Sequence, residues 1–242
     1  MFRCSLVPSI ARGTALPRSY GSRRARVQTF ALVVMALALA VAMRPLAAAA
    51  ADRPVRIVTL GDSLTAGLGL PADQAFPAKL EQALRAKGLA VEVTNAGVSG
   101  DTASSGLARL DWSIPEGTDA VIVELGANDM LRGIDPRITR RALEGIVRRL
   151  ADRRVAVLLA GMRAAPNLGP DYGRDFEAIY AELAARNDLL LYPFFLDGVA
   201  GEVELNQRDG LHPTAAGVDA IVARILPKVE ELVSRVRDKR VM

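Results

Sequence analysis

Short apolar runs rich in Val, Ile and Leu recur along the chain after residue 52, and stretches of mixed polarity separate them. Several of these runs lack the alternation of a half-exposed strand, and they predict β-strands buried on both faces. The sequence predicts five strands, of which the last has the weakest pattern: 55–60, 91–95, 120–125, 155–160 and 189–193.

The stretches between the strands repeat their apolar residues at the spacing of an α-helix. In the stretch 136–154, Ile138, Ile146 and Leu150 fall on one face. Proline lacks the backbone N–H that a helix interior uses, so Pro227 predicts a kink or a break in the last helix. The sequence predicts four helices: 76–88, 136–154, 174–187 and 214–236.

Strands that alternate with helices predict a parallel sheet covered by helices on both faces. No repeat, low-complexity linker or change of composition divides the chain after residue 52. We therefore expect residues 52–242 to form one α/β domain, a three-layer α/β/α sandwich with a central parallel sheet of about five strands. Ligands of such sheets bind beyond the carboxyl ends of the strands.

The first 51 residues differ from the rest of the chain in charge and hydrophobicity. They contain seven arginines and no acid, an unbroken apolar run at 30–43, and small residues up to Ala51. This order is typical of a secretory signal, and the run is shorter than the roughly 20 residues of a membrane span. We expect residues 1–51 to be an export signal that is cleaved near Ala51, which would place the protein in the periplasm or outside the cell. The alternative is an uncleaved anchor, the only membrane attachment that the sequence predicts.

The net charge of +4 arises in this N-terminal segment. When its seven arginines are taken from the 31 Lys and Arg, 24 remain against 27 Asp and Glu in residues 52–242. A mildly acidic domain gives no compositional support for nucleic-acid binding. The only cysteine, Cys4, also lies in the segment, so the mature protein would have no disulfide, thiolate nucleophile or cysteine metal site.

Glycine-containing polar motifs follow three of the predicted strands. "GDS" at 61–63 follows the first strand, "NAGVSGDT" at 95–102 follows the second, and "GAND" at 126–129 follows the third. Because the carboxyl ends of parallel strands share one edge of the sheet, we expect these motifs to converge. A fourth motif, "RDGLHP" at 208–213, lies late in the chain.

Ser63 and His212 together predict nucleophilic catalysis. A serine hydroxyl is a poor nucleophile until a base takes its proton, and imidazole suits that task at neutral pH. His212 is the only histidine in the chain, so it is the base if Ser63 is an activated nucleophile. Asp209, three residues earlier, could fix the imidazole tautomer and stabilise its charged form. Ser63 could instead cap the next helix, and His212 could be an ordinary loop residue.

A serine nucleophile also needs hydrogen-bond donors for the oxyanion of the tetrahedral intermediate. Gly100 and Asn128 each follow a strand, and they could supply a backbone N–H and a side-chain amide. The N–H of Ser63 could be the third donor. Gly100 could instead serve a tight turn, and Asn128 could bond within its own loop.

The motifs "GDSL", "NAGVSG", "GAND" and "DGLHP" resemble, in order and spacing, the four blocks of the SGNH (GDSL-type) serine hydrolases. The resemblance covers residues 55–235, and 100–110 and 171–184 are most similar to the branch of bacterial thioesterase I, lysophospholipase L1 and arylesterases. It implies a flavodoxin-like fold and hydrolysis of carboxylic esters or thioesters of small-molecule acyl substrates, with no metal and no organic cofactor.

Carried over residue by residue, the resemblance implies that Ser63 is the nucleophile and that Asp209 and His212 are the acid and the base. Gly100 and Asn128 would join the Ser63 N–H in the oxyanion hole. Two other functions remain open. One is a carbohydrate O-acetylesterase of the same family, and the other is a non-catalytic flavodoxin-like binding module.

Other residues near the motifs carry weaker interpretations. Trp112 and Tyr172 could line an acyl pocket, or they could pack elsewhere. Asp62 and Asp129 are interpreted as residues that support their loops rather than as catalysts. The loop at 163–173 is expected to shape the pocket.

Overall fold

The computed structural model describes residues 53–241, so the predicted export signal at 1–51 lies outside the described residues. The predicted α/β fold is confirmed, and the strands lie where the apolar runs occur. Their bounds are β1 Val55–Gly61, β2 Val91–Gly97, β3 Ala120–Glu124, β4 Ala156–Ala160 and β5 Leu190–Tyr192.

The five strands are parallel and lie side by side in the order β2-β1-β3-β4-β5. From β1 the chain crosses to β2 on one side and then returns to β3 on the other side. At such a switch point the loops that leave neighbouring strands diverge and open a crevice. Gly61 of β1 pairs with Glu124 of β3, so the motifs that follow these two strands begin side by side.

Helices connect the strands and cover the sheet. The four predicted helices correspond to α2, α6, α7 and α8 below; α2 packs against α8, and α6 packs against α3 and α7. Single 3₁₀ turns lie at Ala72–Gln74, Pro166–Leu168 and Val203–Leu205. The α-helices are α1 Ser63–Ala66, α2 Phe76–Ala86, α3 Ala103–Ala108, α4 Leu110–Ser113, α5 Ala127–Leu131, α6 Pro136–Asp152, α7 Pro170–Asn187 and α8 Ala215–Val241.

The sequence predicts a kink or a break at Pro227; the break is wrong, because α8 continues through this residue. Pro227 lies on the exposed face of the helix, whereas Ile225 and Val229 on either side are fully buried. An interior proline costs a helix about 3 kcal/mol, and each buried aliphatic side chain returns about 1.5–3 kcal/mol. Packing on both sides of the proline therefore offsets the lost hydrogen bond.

Burial differs between the central strands and the edge. Every residue of β3 is buried, as the continuous apolar pattern predicts, whereas only Val91 of β2 is buried, because β2 forms an edge of the sheet. Among residues 53–241, no helix has the length and apolarity needed to cross a membrane.

Candidate active site

The turn after β1 presents Ser63 at the start of α1. The turn is tight: a Cβ on Gly61 would lie 2.0 Å from Thr65 Oγ1, so only glycine fits there. Asp62, not Ser63, caps the helix, because its Oδ1 accepts a hydrogen bond of 2.9 Å from the Leu64 N–H. The Ser63 hydroxyl is therefore not engaged as a helix cap.

Three of the predicted site residues, Ser63, His212 and Asp209, are connected in that order by two hydrogen bonds. Ser63 Oγ lies 2.9 Å from His212 Nε2, and His212 Nδ1 lies 2.7 Å from Asp209 Oδ2. If Nδ1 carries the proton and donates it to the Asp209 carboxylate, Nε2 has a free lone pair that can accept the Ser63 proton. The fold thus brings together residues that are 149 positions apart in the sequence.

The Asp209 carboxylate is stabilised in its charged form. Its Oδ1 accepts backbone N–H groups of His212 at 3.0 Å and Leu211 at 2.9 Å, and its Oδ2 faces the imidazole. These hydrogen bonds, the His212 N–H first, lower the pKa of Asp209 to about 2. The Asp209 side chain, 45% of which is exposed to solvent, is therefore ionised at neutral pH.

The Asn128 amide lies beside Ser63, and its Nδ2 has two acceptors. It donates to Asp62 Oδ2 at 3.1 Å and to the Asp101 carbonyl at 3.0 Å. An oxyanion would share one of these N–H groups. Gly100, adjacent to Asp101, has a φ of +87°, the left-handed region that favours glycine.

The backbone N–H groups of Ser63 and Gly100 have no acceptor among the described residues. Ser63 is the first residue of α1, where the N–H points out of the helix and is normally free. The predicted oxyanion donors are therefore available as two unpaired N–H groups and one side-chain amide.

Comparison with known proteins identifies the family. Residues 59–220 match the model of the GDSL-like Lipase/Acylhydrolase family. The chain belongs to this family.

Curated relatives agree with the family match. The chain is 37% identical over 177 residues to Esterase TesA of Pseudomonas aeruginosa, covering 73% of this chain and 88% of the relative. It is also 37% identical over 188 residues to Thioesterase 1/protease 1/lysophospholipase L1 of Escherichia coli K12, covering 77% of this chain and 88% of the relative.

A solved structure agrees as well. The crystal structure of AlinE4, an SGNH-hydrolase family esterase, is 45% identical, covers 74% of this chain and 97% of its own, and superposes with a TM-score of 0.64. The predicted family, the α/β fold and the activity class, a serine hydrolase that acts on esters, are thereby confirmed.

The GDSL-family site opens into a cavity of about 290 Å³ at the carboxyl ends of the strands. Ser63, Asn128 and His212 lie at its wall, and most other lining side chains are apolar, including Met130, Leu131, Met162, Phe194 and Leu211. Residues 163–166 of the predicted pocket loop also line it. Its one permanently charged side chain, Arg163, lies over the Phe194 ring at 4.9 Å.

Neither aromatic residue suggested for the pocket lines this cavity. Trp112 is 75% exposed on α4. Tyr172 stacks on Phe176 at 5.8 Å and donates its hydroxyl to the Ile134 carbonyl at 2.9 Å, so it packs α7 against the loop before α6. For Tyr172 the alternative interpretation, packing elsewhere, is the one that the structure supports.

Glu124 is a site-proximal residue that sequence reasoning missed. It ends β3 with 1% exposure, and its Oε2 accepts from the Thr65 hydroxyl at 2.7 Å. Burial, and then the charge of Asp62, raise the pKa of Glu124 well above its ordinary value. Burial also raises the pKa of Asp62 to about 6. The available signal was a glutamate inside the apolar run 120–125.

Gln207 is a second residue that sequence reasoning missed, and it connects the loop of His212 to the segment after α1. Its Nε2 donates to the Leu68 carbonyl at 2.7 Å and to the Pro213 carbonyl at 3.0 Å, while its N–H donates to the His212 carbonyl at 2.7 Å. These bonds tie the loop of His212 to the segment that follows α1.

Asp129 of α5 accepts two hydrogen bonds, one from α3 and one from α6. The Ala103 N–H donates to its Oδ2 at 2.8 Å, and the Thr139 hydroxyl donates to its Oδ1 at 2.9 Å. These contacts are those of a loop-supporting residue. Among residues 53–241, no group of three or more His, Cys, Asp or Glu side chains is arranged to hold a metal ion.

Proposed function

We propose that this protein hydrolyses carboxylic esters and thioesters of small-molecule acyl substrates through an acyl-enzyme on Ser63. Its base is His212 and its acid is Asp209. The N–H groups of Ser63 and Gly100 and the amide of Asn128 receive the oxyanion. The observation that carries the proposal is the distance of 2.9 Å between Ser63 Oγ and His212 Nε2 at the wall of an apolar cavity.

In the first half of the reaction, Ser63 Oγ attacks the carbonyl carbon while His212 Nε2 takes the hydroxyl proton. The carbonyl oxygen becomes an oxyanion and accepts hydrogen bonds from the three donors. When the tetrahedral intermediate collapses, His212 gives its proton to the leaving alkoxide or thiolate. The acyl group stays on Ser63 as an ester.

In the second half, water replaces the alcohol or thiol that has left. His212 takes a proton from the water, whose oxygen attacks the acyl carbon, and the same donors receive the second oxyanion. Collapse returns the proton to Ser63 and releases the acid. Asp209 remains ionised throughout and stabilises the imidazolium in both halves.

The cavity supports an acyl substrate rather than a sugar. Its lining is mostly aliphatic, and burial of each methylene of an acyl chain contributes about 0.8 kcal/mol. The names of the relatives, an esterase and a thioesterase/lysophospholipase, favour the same substrate class.

Removal of the Ser63 hydroxyl tests the chemistry. Ser63→Ala should lower kcat for p-nitrophenyl butyrate by up to about 10⁶-fold, because triad residues act as a unit. Ser104→Ala, at an exposed serine of α3, is the matched control and should keep wild-type kcat. A fluorophosphonate probe should label wild-type protein and not Ser63→Ala. Wild-type turnover in Ser63→Ala would overturn the assignment.

A substrate panel tests the substrate class. We expect kcat/KM to be higher for p-nitrophenyl octanoate, p-nitrophenyl butyrate or an acyl-CoA than for acetylated sugars. A preference for acetylated sugars would favour the carbohydrate O-acetylesterase. Failure to hydrolyse any ester, with no labelling by the fluorophosphonate, would favour a binding module.

The proposed location is outside the cytoplasm. It is supported by the arginine-rich start, the apolar run and the small residues of 1–51. N-terminal sequencing of protein from the exported fraction should begin near residue 52. A sequence that begins at Met1 would favour the uncleaved anchor.

A further inference from the structure

One carboxylate at the site has no part in the steps above. Asp62 adjoins Ser63, and its side chain is fully buried. Each of its oxygens accepts one N–H: Oδ1 from Leu64 at 2.9 Å, and Oδ2 from Asn128 Nδ2 at 3.1 Å. It thus joins the cap of the nucleophile's helix to the amide that would receive the oxyanion.

The orientation of the Asn128 amide determines what it can do. With Nδ2 toward Asp62 and the Asp101 carbonyl, the amide presents a donor on that side. If the amide were rotated by a half-turn, its carbonyl oxygen would face two acceptors and could not stabilise an oxyanion. The acceptors around Nδ2 therefore select the orientation that the proposed reaction needs.

We propose that Asp62 is a positioning residue for ester hydrolysis, which holds the Asn128 amide with its donor toward the oxyanion by accepting the Leu64 and Asn128 N–H groups on separate oxygens. The proposal rests on the proposed function of the site. Asp62 acts through Asn128 and touches no reacting atom.

Only a carboxylate satisfies both partners of Asp62. The Leu64 N–H and Asn128 Nδ2 are donors that cannot accept. An asparagine at position 62 has a single acceptor oxygen, so its own NH₂ group would face one of the two donors. The isosteric change Asp62→Asn therefore disturbs either the helix cap or the amide.

Neighbouring groups leave Asp62 as the one charged carboxyl of this buried pair. Glu124 accepts hydrogen bonds from the Thr65 hydroxyl and, at 3.4 Å, from the Asp62 N–H, and no cationic side chain of residues 53–241 forms an ion pair with it. Its Oε1 has no partner among the described residues, a cost that is smaller for a neutral carboxyl than for a carboxylate. Asp101 forms an ion pair with Arg109. The imidazole of His212 also faces Asp62 and favours its charged form.

Asp129 supplies a matched control at the next residue after Asn128. It is also fully buried, and it also accepts one donor on each oxygen. One of its donors is the Thr139 hydroxyl, which can accept as well as donate. Asp129→Asn can therefore keep both contacts, and no bond of Asp129 reaches the Asn128 amide.

A double-mutant cycle tests the proposal with p-nitrophenyl butyrate. Asn128→Ala should lower kcat by about 10²–10³-fold, as loss of an oxyanion donor does. Asp62→Asn should lower kcat by about 10²-fold with KM within about threefold, because the orientation matters mainly in the transition state. In the double variant, kcat should fall less than about threefold below Asn128→Ala alone. Asp129→Asn should show no coupling to Asn128→Ala.

Two outcomes of the cycle would overturn the proposal. Asp62→Asn with wild-type kcat would mean that the amide does not need Asp62. Multiplicative losses in the double variant would mean that Asp62 acts independently of Asn128. A purely structural role would lower the melting temperature without the coupling.

The Asn128 amide can also be observed directly by NMR. This experiment does not depend on whether Asp62→Asn folds or on whether the enzyme turns over. In His212→Ala, where the imidazole is absent, the NMR signals of the Asn128 side-chain amide should shift over the same pH range in which the carboxyl carbon signal of Asp62 titrates, because the two groups share a hydrogen bond of 3.1 Å. Amide signals that stay constant while the Asp62 carboxyl titrates would overturn the proposal. An inactive wild-type enzyme would refute the proposed function alone, and this titration would still decide the role of Asp62.

Discussion

Two aspartates, Asp62 and Asp209, flank the Ser63–His212 pair, and they are held in opposite ways. Asp62 is fully buried, and burial raises its pKa to about 6. The side chain of Asp209 is 45% exposed, and N–H donors lower its pKa to about 2. Burial opposes the negative charge of Asp62, whereas the backbone N–H groups of its own turn stabilise the negative charge of Asp209.

The two carboxylates differ in the free-energy cost of keeping them charged. The hydrogen bonds of Asp209 come from residues two and three positions later, so a short loop maintains the charge next to the imidazole. The charge of Asp62 depends on the packed interior between β1 and β3. Because one pKa unit is about 1.36 kcal/mol, a shift from 3.8 to about 6 costs on the order of 3 kcal/mol at neutral pH.

Of the two aspartates, Asp209 should have the larger effect on turnover. Asp209→Asn should lower kcat for p-nitrophenyl butyrate by about 10⁴-fold, as the same change does in a serine protease triad, because an amide neither fixes the tautomer nor stabilises the imidazolium. Asp197→Asn, at an aspartate whose side chain is 51% exposed, is the matched control and should keep wild-type kcat. More than a tenth of wild-type kcat in Asp209→Asn would contradict this role.

The pH profile separates the two aspartates. Below pH 6, wild-type kcat/KM should fall more steeply with decreasing pH than kcat/KM of Asp62→Asn, because only the wild type has the Asp62 carboxylate to protonate. The two slopes should differ by up to one, which is up to about tenfold per pH unit. Asp209 does not contribute in this range, because its pKa is about 2. The groups that face Asp62 are Glu124, His212 and Asp101, the last paired with Arg109.

The measurement uses an ester whose own reactivity is constant over the range, and circular dichroism checks that each variant is folded at the lowest pH. Equal slopes in wild type and Asp62→Asn would show that ionisation of Asp62 is not required for turnover.

Much of this arrangement could be predicted from local patterns. The strands and the long helices follow from apolar periodicity, and the site residues Ser63, Asp209 and His212 follow from residue type and position in a motif. The short helices α1, α3, α4 and α5 could not be predicted in the same way, because four to six residues hold too little periodicity.

What the sequence did not reveal depends on contacts between distant segments. The contact of Glu124 with Thr65 spans 59 positions, and that of Gln207 with Leu68 spans 139. A single glutamate in an apolar run indicates a buried carboxyl, but it does not say which group lies opposite. The second role of Asp62 was hidden for the same reason, since Asn128 lies 66 positions away.

The pH dependence of the free energy of unfolding tests the buried pair of Glu124 and Asp62. Burial holds the pKa of Glu124 in the folded state well above its ordinary value of 4.5. Above pH 4.5 the folded protein then binds more protons at this group than the unfolded one, so this group makes the unfolding free energy fall as pH rises. Glu124→Gln removes that dependence, and its unfolding free energy relative to wild type should rise by up to about 1.4 kcal/mol per pH unit between pH 5 and 7. Urea unfolding at several pH values measures this difference. A constant difference would show that Glu124 is ionised in the fold.

The smallest expected effect is the effect of Asp209→Asn on the free energy of unfolding. The lowered pKa of Asp209 stabilises the folded state above pH 3.8, and this contribution is lost only as pH falls toward 2. Because solvent screens an exposed carboxylate, Asp209→Asn should change the unfolding free energy by less than about 1 kcal/mol. Urea unfolding of this variant alongside Glu124→Gln makes the contrast direct. A loss of several kcal/mol in Asp209→Asn would mean that the His212 loop helps to hold the fold together, and its large effect on kcat could then no longer be assigned to the imidazole alone.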